Sequence, residues 1–385
     1  MDMDTPFVYD KYVTGKNFVG RKMECTVLAN LLDAGENVCV YEPPKSGKLS
    51  MIQQTLYNMR AAGKPFMVAY VNIFNVRSLR MFLKKFGDAV IRAAYSVPSD
   101  YAGVIARHLE GTHFVFDGAK FASNEEIVCM NWDADETDVR AMMLLPQKIA
   151  RDKGLPFYVI FKDFQSMLSI NDYEDVLKVM EQVFAERDRL EKNPAAFIFS
   201  GSMVNAMKYI FAYRKFFHRQ VNHLPLQQLD EKDAIEHVVR GFRSSGKVVD
   251  KELALGACKL FRCNMWYLNQ FFSVCDSLSK GFINEAILVE ALDSVIAVHE
   301  PRFNVLINDL TDHQQSLLRA VLDGVVKFSS SDVIERYRLN SSANVRRVKD
   351  ALCKKEILTF NDKEEPVILD PLFEYWVSKY YFEMQ

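Results

Sequence analysis

Four short apolar runs, separated by segments with helical spacing, constrain this chain more than any other feature. They are Asn37 to Glu42 (NVCVYE), Phe66 to Phe74 (FMVAYVNIF), Phe157 to Phe164 (FYVIFKDF) and Ala195 to Ser200 (AAFIFS). Each is strand-length, and most are rich in β-branched and aromatic residues, as buried strands are. Between them, Leu49, Ile52, Leu56 and Met59 fall on one helical face. Ser78 to Tyr95 reads as an amphipathic helix, and helical patterns occupy 137–153 and 173–191. Strands alternating with helices predict an α/β domain, a parallel sheet covered on both faces.

The rhythm breaks at 97–136. There, HFVFDGAKF and EEIVCMNWD flank Ala122-Ser123-Asn124 and predict an inserted β-hairpin. Strand signals vanish from about 227 to 300, where helices such as Asp230 to Phe242 and Leu268 to Ser279 dominate. The stretch HEPRFNVL (299–306) carries the proline and charge of a linker. Over 307–385 the order is helix, helix, helix, hairpin. Leu317, Leu318 and Val321 lie on the first helix, and Ser330-Ser331-Asp332 cap the second. Ser341-Ser342 start the third, Ala343 to Lys354, and ILTF and PVIL form the strands, which is the winged helix-turn-helix order. The expected domains are 1–226, a helical lid at 227–300 and a winged helix at 307–385. A chain of 385 residues suits two or three such units.

Hydrophobic residues make up 49% and charged residues 25%, the balance of a folded chain. Forty-eight basic side chains face fifty acidic ones, for a formal charge of -2. Any nucleic-acid contact must therefore be a local patch rather than a global field. Seven cysteines, without a C-x-x-C pair, argue against a disulfide framework and for reduced thiols in a cytoplasm. Cys258 and Cys263 suit a buried helix face. The acidic start MDMDTPFVYD does not read as a signal peptide, and no apolar run reaches the roughly 20 residues of a membrane span. The seven histidines show no ligand spacing, so no metal site is expected from them.

The stretch after the first run, VYEPPKSGKLSMI (40–52), places Gly47-Lys48 between a strand and a helix. A phosphate loop, G-x-x-x-x-G-K-[ST], holds phosphates on backbone N–H groups at a helix start, with the lysine on the outer phosphates and the hydroxyl on magnesium. Here Glu42 stands at the first glycine and Leu49 at the hydroxyl. The strand FYVIFKDFQ has Lys162 where an acidic magnesium-associated residue normally ends the second strand, followed by Asp163. Ser200-Gly201-Ser202 ends a third strand with polar groups.

Four blocks in order, FVGRKMEC (18–25), PPKSGK, the strand running into D-F-Q, and FIFSGS, resemble the archaeal-type P-loop ATPases of the AAA+/STAND group. FFHR (216–219) and DPLFEYW (370–376) are similar to that group's later motifs. The resemblance implies an AAA+-like P-loop NTPase fold with inserted hairpin, helical lid and C-terminal winged helix. It implies ATP or ADP as ligand, with Lys48 on the phosphates and Gly47 as the loop glycine. Pro44, Lys45, Ser46, Leu49 and Ser50 would complete the loop, its amides facing phosphate. Phe18, Val19, Gly20 and Arg21 would lie against adenine. Asp163 would be the acid nearest the attacking water, Ser202 the sensor and Arg219 a γ-phosphate arginine. Lys162 and Asp163 also read as a solvated strand end and a helix cap, and Arg219 as a surface ion-pair partner.

Leu49 and Lys162 together occupy the two magnesium-holding positions, and Ser50 is turned about 100° from position 49 on a helix. That pattern favours a nucleotide-binding regulator, a pseudo-ATPase whose nucleotide state sets its winged helix. An active ATPase using Ser50 and Asp163, and a nucleotide-independent DNA-binding or protein-interaction module, are the alternatives. On the third C-terminal helix Val345, Val348 and Leu352 share a core face. Arg346, Arg347 and Lys354 then point outward, toward DNA phosphates or a partner protein.

Overall fold

A computed structural model describes residues 6–123, 125–187 and 194–384. The chain forms two compact units: Lys22–Glu42 with Met51–Leu226, and Met1–Arg21 with Pro43–Ser50 and Gln227–Gln385.

The first unit holds strands β1 (Asn37–Tyr41), β2 (Met67–Asn72), β3 (Phe114–Phe116), β4 (Val128–Met130), β5 (Phe157–Lys162), β6 (Ala195–Gly201) and β7 (Val221–His223). Five of them make one parallel sheet in the order β2-β5-β6-β1-β7. Strands β1 and β6 are buried throughout, and β5 is buried up to Lys162. This is the signature of a sheet covered on both faces. Phe161 and Phe199 are register partners, with ring centroids 5.4 Å apart. Phe86 of helix Leu79–Ala94 and Phe184 of helix Tyr173–Arg187 pack on this aromatic layer, 5.6 Å from Phe161 and 5.0 Å from Phe197. Buried Asn37 ties the sheet together: its carbonyl oxygen accepts from Phe197 N (3.0 Å) and its amide donates to Gln220 O (3.1 Å). Position 37 thus satisfies backbone groups on either side of β1.

Strands β3 and β4 pair antiparallel, Phe114 opposite Met130, where a hairpin is expected. The connection differs from the expectation. A helix, Gly118–Ala122, capped by Asp117, stands between the strands, and Asn124 of the expected turn lies outside the described residues. Before them runs a helix, Pro98–His108, that the hairpin reading of 97–136 omits. Pro98 sits in its first turn, where a missing N–H is tolerated, and Tyr101, Val104 and Ile105 are its buried side. The pattern at 173–191 is helical through Arg187, and the remainder lies outside the described residues.

The second unit contains helices Glu231–Ser244, Lys251–Leu260, Met265–Leu278 and Glu285–Asn308. The first three are capped by Asp230, Asp250 and Asn264, whose side chains accept from the first-turn amides. Strand pairing is not wholly lost here, since Val248–Val249 pairs in parallel with Phe282–Ile283. Phe7 is buried against Phe242 (4.9 Å) and Phe272 (5.9 Å). A Cβ at Gly241 would stand 2.6 Å from the Phe7 ring, so only glycine fits beneath it.

The expected linker at 299–306 is instead the interior of the 24-residue helix Glu285–Asn308, with Pro301 inside it. His299, Phe303 and Ile307, four residues apart, form a buried ladder on one face. Their burial offsets the lost hydrogen bond of a mid-helix proline, roughly 3 kcal/mol. Cys263 likewise lies beyond the helix that carries Cys258, in a left-handed turn (φ 54°), although both are buried.

Helices Asp312–Leu322, Ser331–Arg336 and Ser342–Lys354 follow, then antiparallel strands Leu358–Phe360 and Pro366–Ile368 and the helix Pro371–Trp376. Leu317, Leu318, Val345, Val348 and Leu352 are buried. Among the described residues no helix is long and apolar enough to cross a membrane.

Candidate nucleotide site

The loop after β1 enters helix Lys48–Ala61, and its left-handed positions are Lys45 (φ 67°) and Gly47 (φ 88°). At Gly47 a side chain would strain the backbone. Lys48, 7% exposed, donates through Nζ to Pro43 O (2.8 Å) and Ser46 Oγ (3.3 Å). The loop therefore wraps its own lysine, with two oxygens standing where an anion's oxygens could compete. Arg21 donates to Ser46 O (3.2 Å) and Gln227 O (3.0 Å), bracing the loop from the N-terminal segment. Phe18 ends the short turn Gly15–Asn17, Val19 packs on the hydrophobic core of this unit, and Gly20 has φ 61°. The Ser50 hydroxyl accepts from Val13 N (3.3 Å), Leu49 is half-buried, and Pro44 is exposed.

Lys45 leaves the loop's interior altogether. Its ammonium lies 3.4 Å from the centroid of the Trp266 ring and 5.5 Å from that of Tyr267. Burial pushes its pKa down to about 8, with the Arg302 charge adding to the effect and Asp370 opposing it.

At the carboxyl edge of the sheet, Asp163 follows β5 with a left-handed backbone (φ 57°). Its side chain does not cap the turn Phe164–Ser169. Instead Asp163 Oδ1 accepts from Ser202 Oγ (2.9 Å) and Gln165 Nε2 (3.2 Å). Gln165 Oε1 accepts from Ser202 N (3.3 Å), and Gln165 Nε2 also reaches Ser202 Oγ (3.2 Å). The structure thus joins the two residues read as water-activating acid and sensor directly, and adds a glutamine not singled out from the sequence. Its signal was present in the D-F-Q block. Lys162 ends β5 with its ammonium 5.3 Å from the Tyr70 ring centroid. Arg219 is exposed and left-handed (φ 62°).

Arg346, Arg347 and Lys354 are exposed on helix Ser342–Lys354, opposite its buried Val345, Val348 and Leu352. Histidine spacing also gave no hint of His113, Asp135 and Asp138, whose ligand atoms lie within 4.8 Å of one another. Both Asp138 oxygens are already engaged. Oδ1 accepts from His113 N (2.9 Å), while Oδ2 accepts from Asp135 N (3.0 Å) and meets His113 Nδ1 (2.9 Å). This closes the cap of helix Glu136–Lys153.

A family described as a probable winged helix domain matches residues 301–379. The Walker-type ATPase PABY2304 of Pyrococcus abyssi superposes with a TM-score of 0.66 at 14% identity, over 96% of this chain and 99% of that one. The Aeropyrum pernix ORC2 protein, in ADPNP–ADP complexes, superposes with a TM-score of 0.54 at 15% identity, over 96% of this chain and 94% of that one. The chain has the AAA+ ATPase fold with a C-terminal winged helix. The parallel sheet and the winged helix expected from the sequence are both present, the sheet with a fifth strand, β7, beyond the four runs that predicted it. Among curated proteins none matches the sequence.

For a nucleotide, the donor set fits: a loop glycine at φ 88°, backbone amides at a helix start, and a buried lysine that donates to two oxygens of the loop. For a magnesium ion it does not. Within the loop, Leu49 offers no ligand atom at the hydroxyl position, and the Ser50 hydroxyl already accepts from Val13 N.

Proposed function

We propose that this chain binds ATP or ADP as a regulator with little or no hydrolysis, its nucleotide state setting the winged helix. Lys48 and the amides of Lys45 to Leu49 would hold the phosphates, and Phe18 to Arg21 would border the base. What supports the hydrolysis claim is the sequence, in which Leu49 and Lys162, an apolar group and a cation, stand at the two positions where the resembling ATPases carry magnesium-holding residues. Asp163, Ser202 and Arg219 would sense the terminal phosphate rather than drive its transfer. A lysine screens phosphate charge but cannot bridge two phosphate oxygens as the metal does. The ORC2 protein's ADPNP–ADP complexes support a nucleotide as ligand for this fold.

The same proposal divides the chain into a P-loop domain (1–226), a lid (227–300) and a winged helix (307–385), and places it in the cytoplasm, where its free thiols would stay reduced. The exposed Arg346, Arg347 and Lys354 favour DNA phosphates or an acidic partner protein as the target of the winged helix. Calorimetric titration with ATP and ADP, in magnesium and in EDTA, tests the proposal. Binding should occur in both buffers with affinities within a few-fold, whereas no heat in either would remove the nucleotide.

A further inference from the structure

Lys45 is a loop residue fastened to an aromatic and acidic chain of side chains. Asn264 caps the helix that carries both rings, its side chain accepting from Trp266 N (3.0 Å) and Tyr267 N (3.3 Å). The Tyr267 hydroxyl reaches both oxygens of Asp370 at 2.9 Å. Asp370 also accepts from Arg302 (2.6 Å) and caps helix Pro371–Trp376 through Leu372 N (3.1 Å) and Phe373 N (3.2 Å). Two side-chain steps therefore connect the phosphate loop to the last helix of the winged-helix segment.

The ring face attracts the Lys45 charge but accepts none of its three N–H groups in ordinary hydrogen bonds, whereas phosphate oxygens accept them in charge-assisted ones. Burial already pushes this ammonium toward its neutral form, so an anion in the loop would draw it away. We propose that Lys45 is a latch, its ammonium exchanging between the Trp266 ring and the polyphosphate of a nucleotide held by the Lys48 loop. Phosphate capture then releases the Trp266–Tyr267–Asp370 chain and loosens the Pro371–Trp376 helix. The latch rests on the nucleotide reading above and names its route of regulation. A ligand shifts such an equilibrium only by its differential affinity for the two states, and the phosphate–lysine contact supplies that difference.

The test titrates ADP into the full chain while recording heat, tryptophan emission and amide exchange in parallel. The wild type should give heat together with an emission change that Trp266→Phe abolishes, and exchange at Leu372 and Phe373 should quicken several-fold. Lys45→Met should show the shifted emission and fast exchange before any ADP is added, and Lys45→Arg, which keeps the cation over the ring, should respond as wild type. Heat without a Trp266-dependent change, or a Lys45→Met response matching wild type, overturns the latch and leaves nucleotide binding intact. No heat with ADP or ATP overturns the nucleotide reading and the latch with it.

Discussion

Lys48 is nearly buried, and its ammonium donates to a carbonyl and a hydroxyl of its own loop, Pro43 O and Ser46 Oγ. Neither of these oxygens carries a formal charge, and an anion would add charge-assisted bonds, which are the stronger kind. Lys48→Ala should therefore weaken ATP affinity about 10- to 100-fold, the loss of one or two charge-assisted contacts. The melting temperature should move only a few degrees, and equal affinities in calorimetry would show that the loop holds no phosphate. Asp370 is the opposite case, since it joins Tyr267, Arg302 and a helix cap in one carboxylate. Asp370→Ala should destabilise the fold by roughly 2–3 kcal/mol, through a lost cap and a partly buried arginine left without its carboxylate. Chemical denaturation measures this directly, and a loss below about 0.5 kcal/mol would show that the carboxylate ties nothing together. The sequence singled out Lys48 and Asp163 as candidates because strand-end and helix-start positions are local. It did not show the ring of Asp163, Gln165 and Ser202, because residues 37 or more apart in sequence meet there only after the sheet forms.

Helix Glu285–Asn308 shows where local signals fail. Proline and charge at 299–306 resemble a break, but the ladder of His299, Phe303 and Ile307 keeps the helix whole. Helix starts, by contrast, were readable, since Ser78, Asp230 and Ser341 each accept from amides within three residues. Ser330, read as part of a cap, holds the cap position without a side-chain hydrogen bond to it. Strand β7 escaped notice because three residues, two of them exposed, carry no periodicity. His299 on that long helix also makes the unit acid-sensitive. It faces Gln270 Oε1 (2.9 Å), and burial, with the Lys45 and Arg302 charges, pushes its pKa down to about 4. Burial lowers His237 as well. Unfolded, both titrate near 6.5, so below that pH the unfolded chain binds more protons. Stability should be complete above about pH 6.5 and fall as the pH drops toward 4, by roughly 2 kcal/mol for His299 after solvent screening. Melting curves from pH 7.5 to 4.5 should be flatter for His299→Gln than for wild type. Parallel curves would assign the acid sensitivity elsewhere.

Across the molecule, a net charge of -2 leaves any nucleic-acid contact to a patch. Arg346, Arg347 and Lys354 are such a patch. If the winged helix meets DNA, replacing all three with glutamine should reduce the salt slope of binding by about three phosphate contacts. Binding to DNA whose slope is unchanged would move the contact to another face, and no affinity at low salt would favour a partner protein. The loop lysine and Asp163 look like an ATPase, whereas Leu49 and Lys162 do not, and only turnover decides between them. The decisive measurement is magnesium-dependent phosphate release by the wild type beside the double variant Leu49→Thr/Lys162→Asp, both at saturating ATP. The wild type should stay at background with or without magnesium, and activity should appear only in the double variant. Wild-type turnover on the order of 1 per second, abolished by EDTA, would contradict a disarmed site.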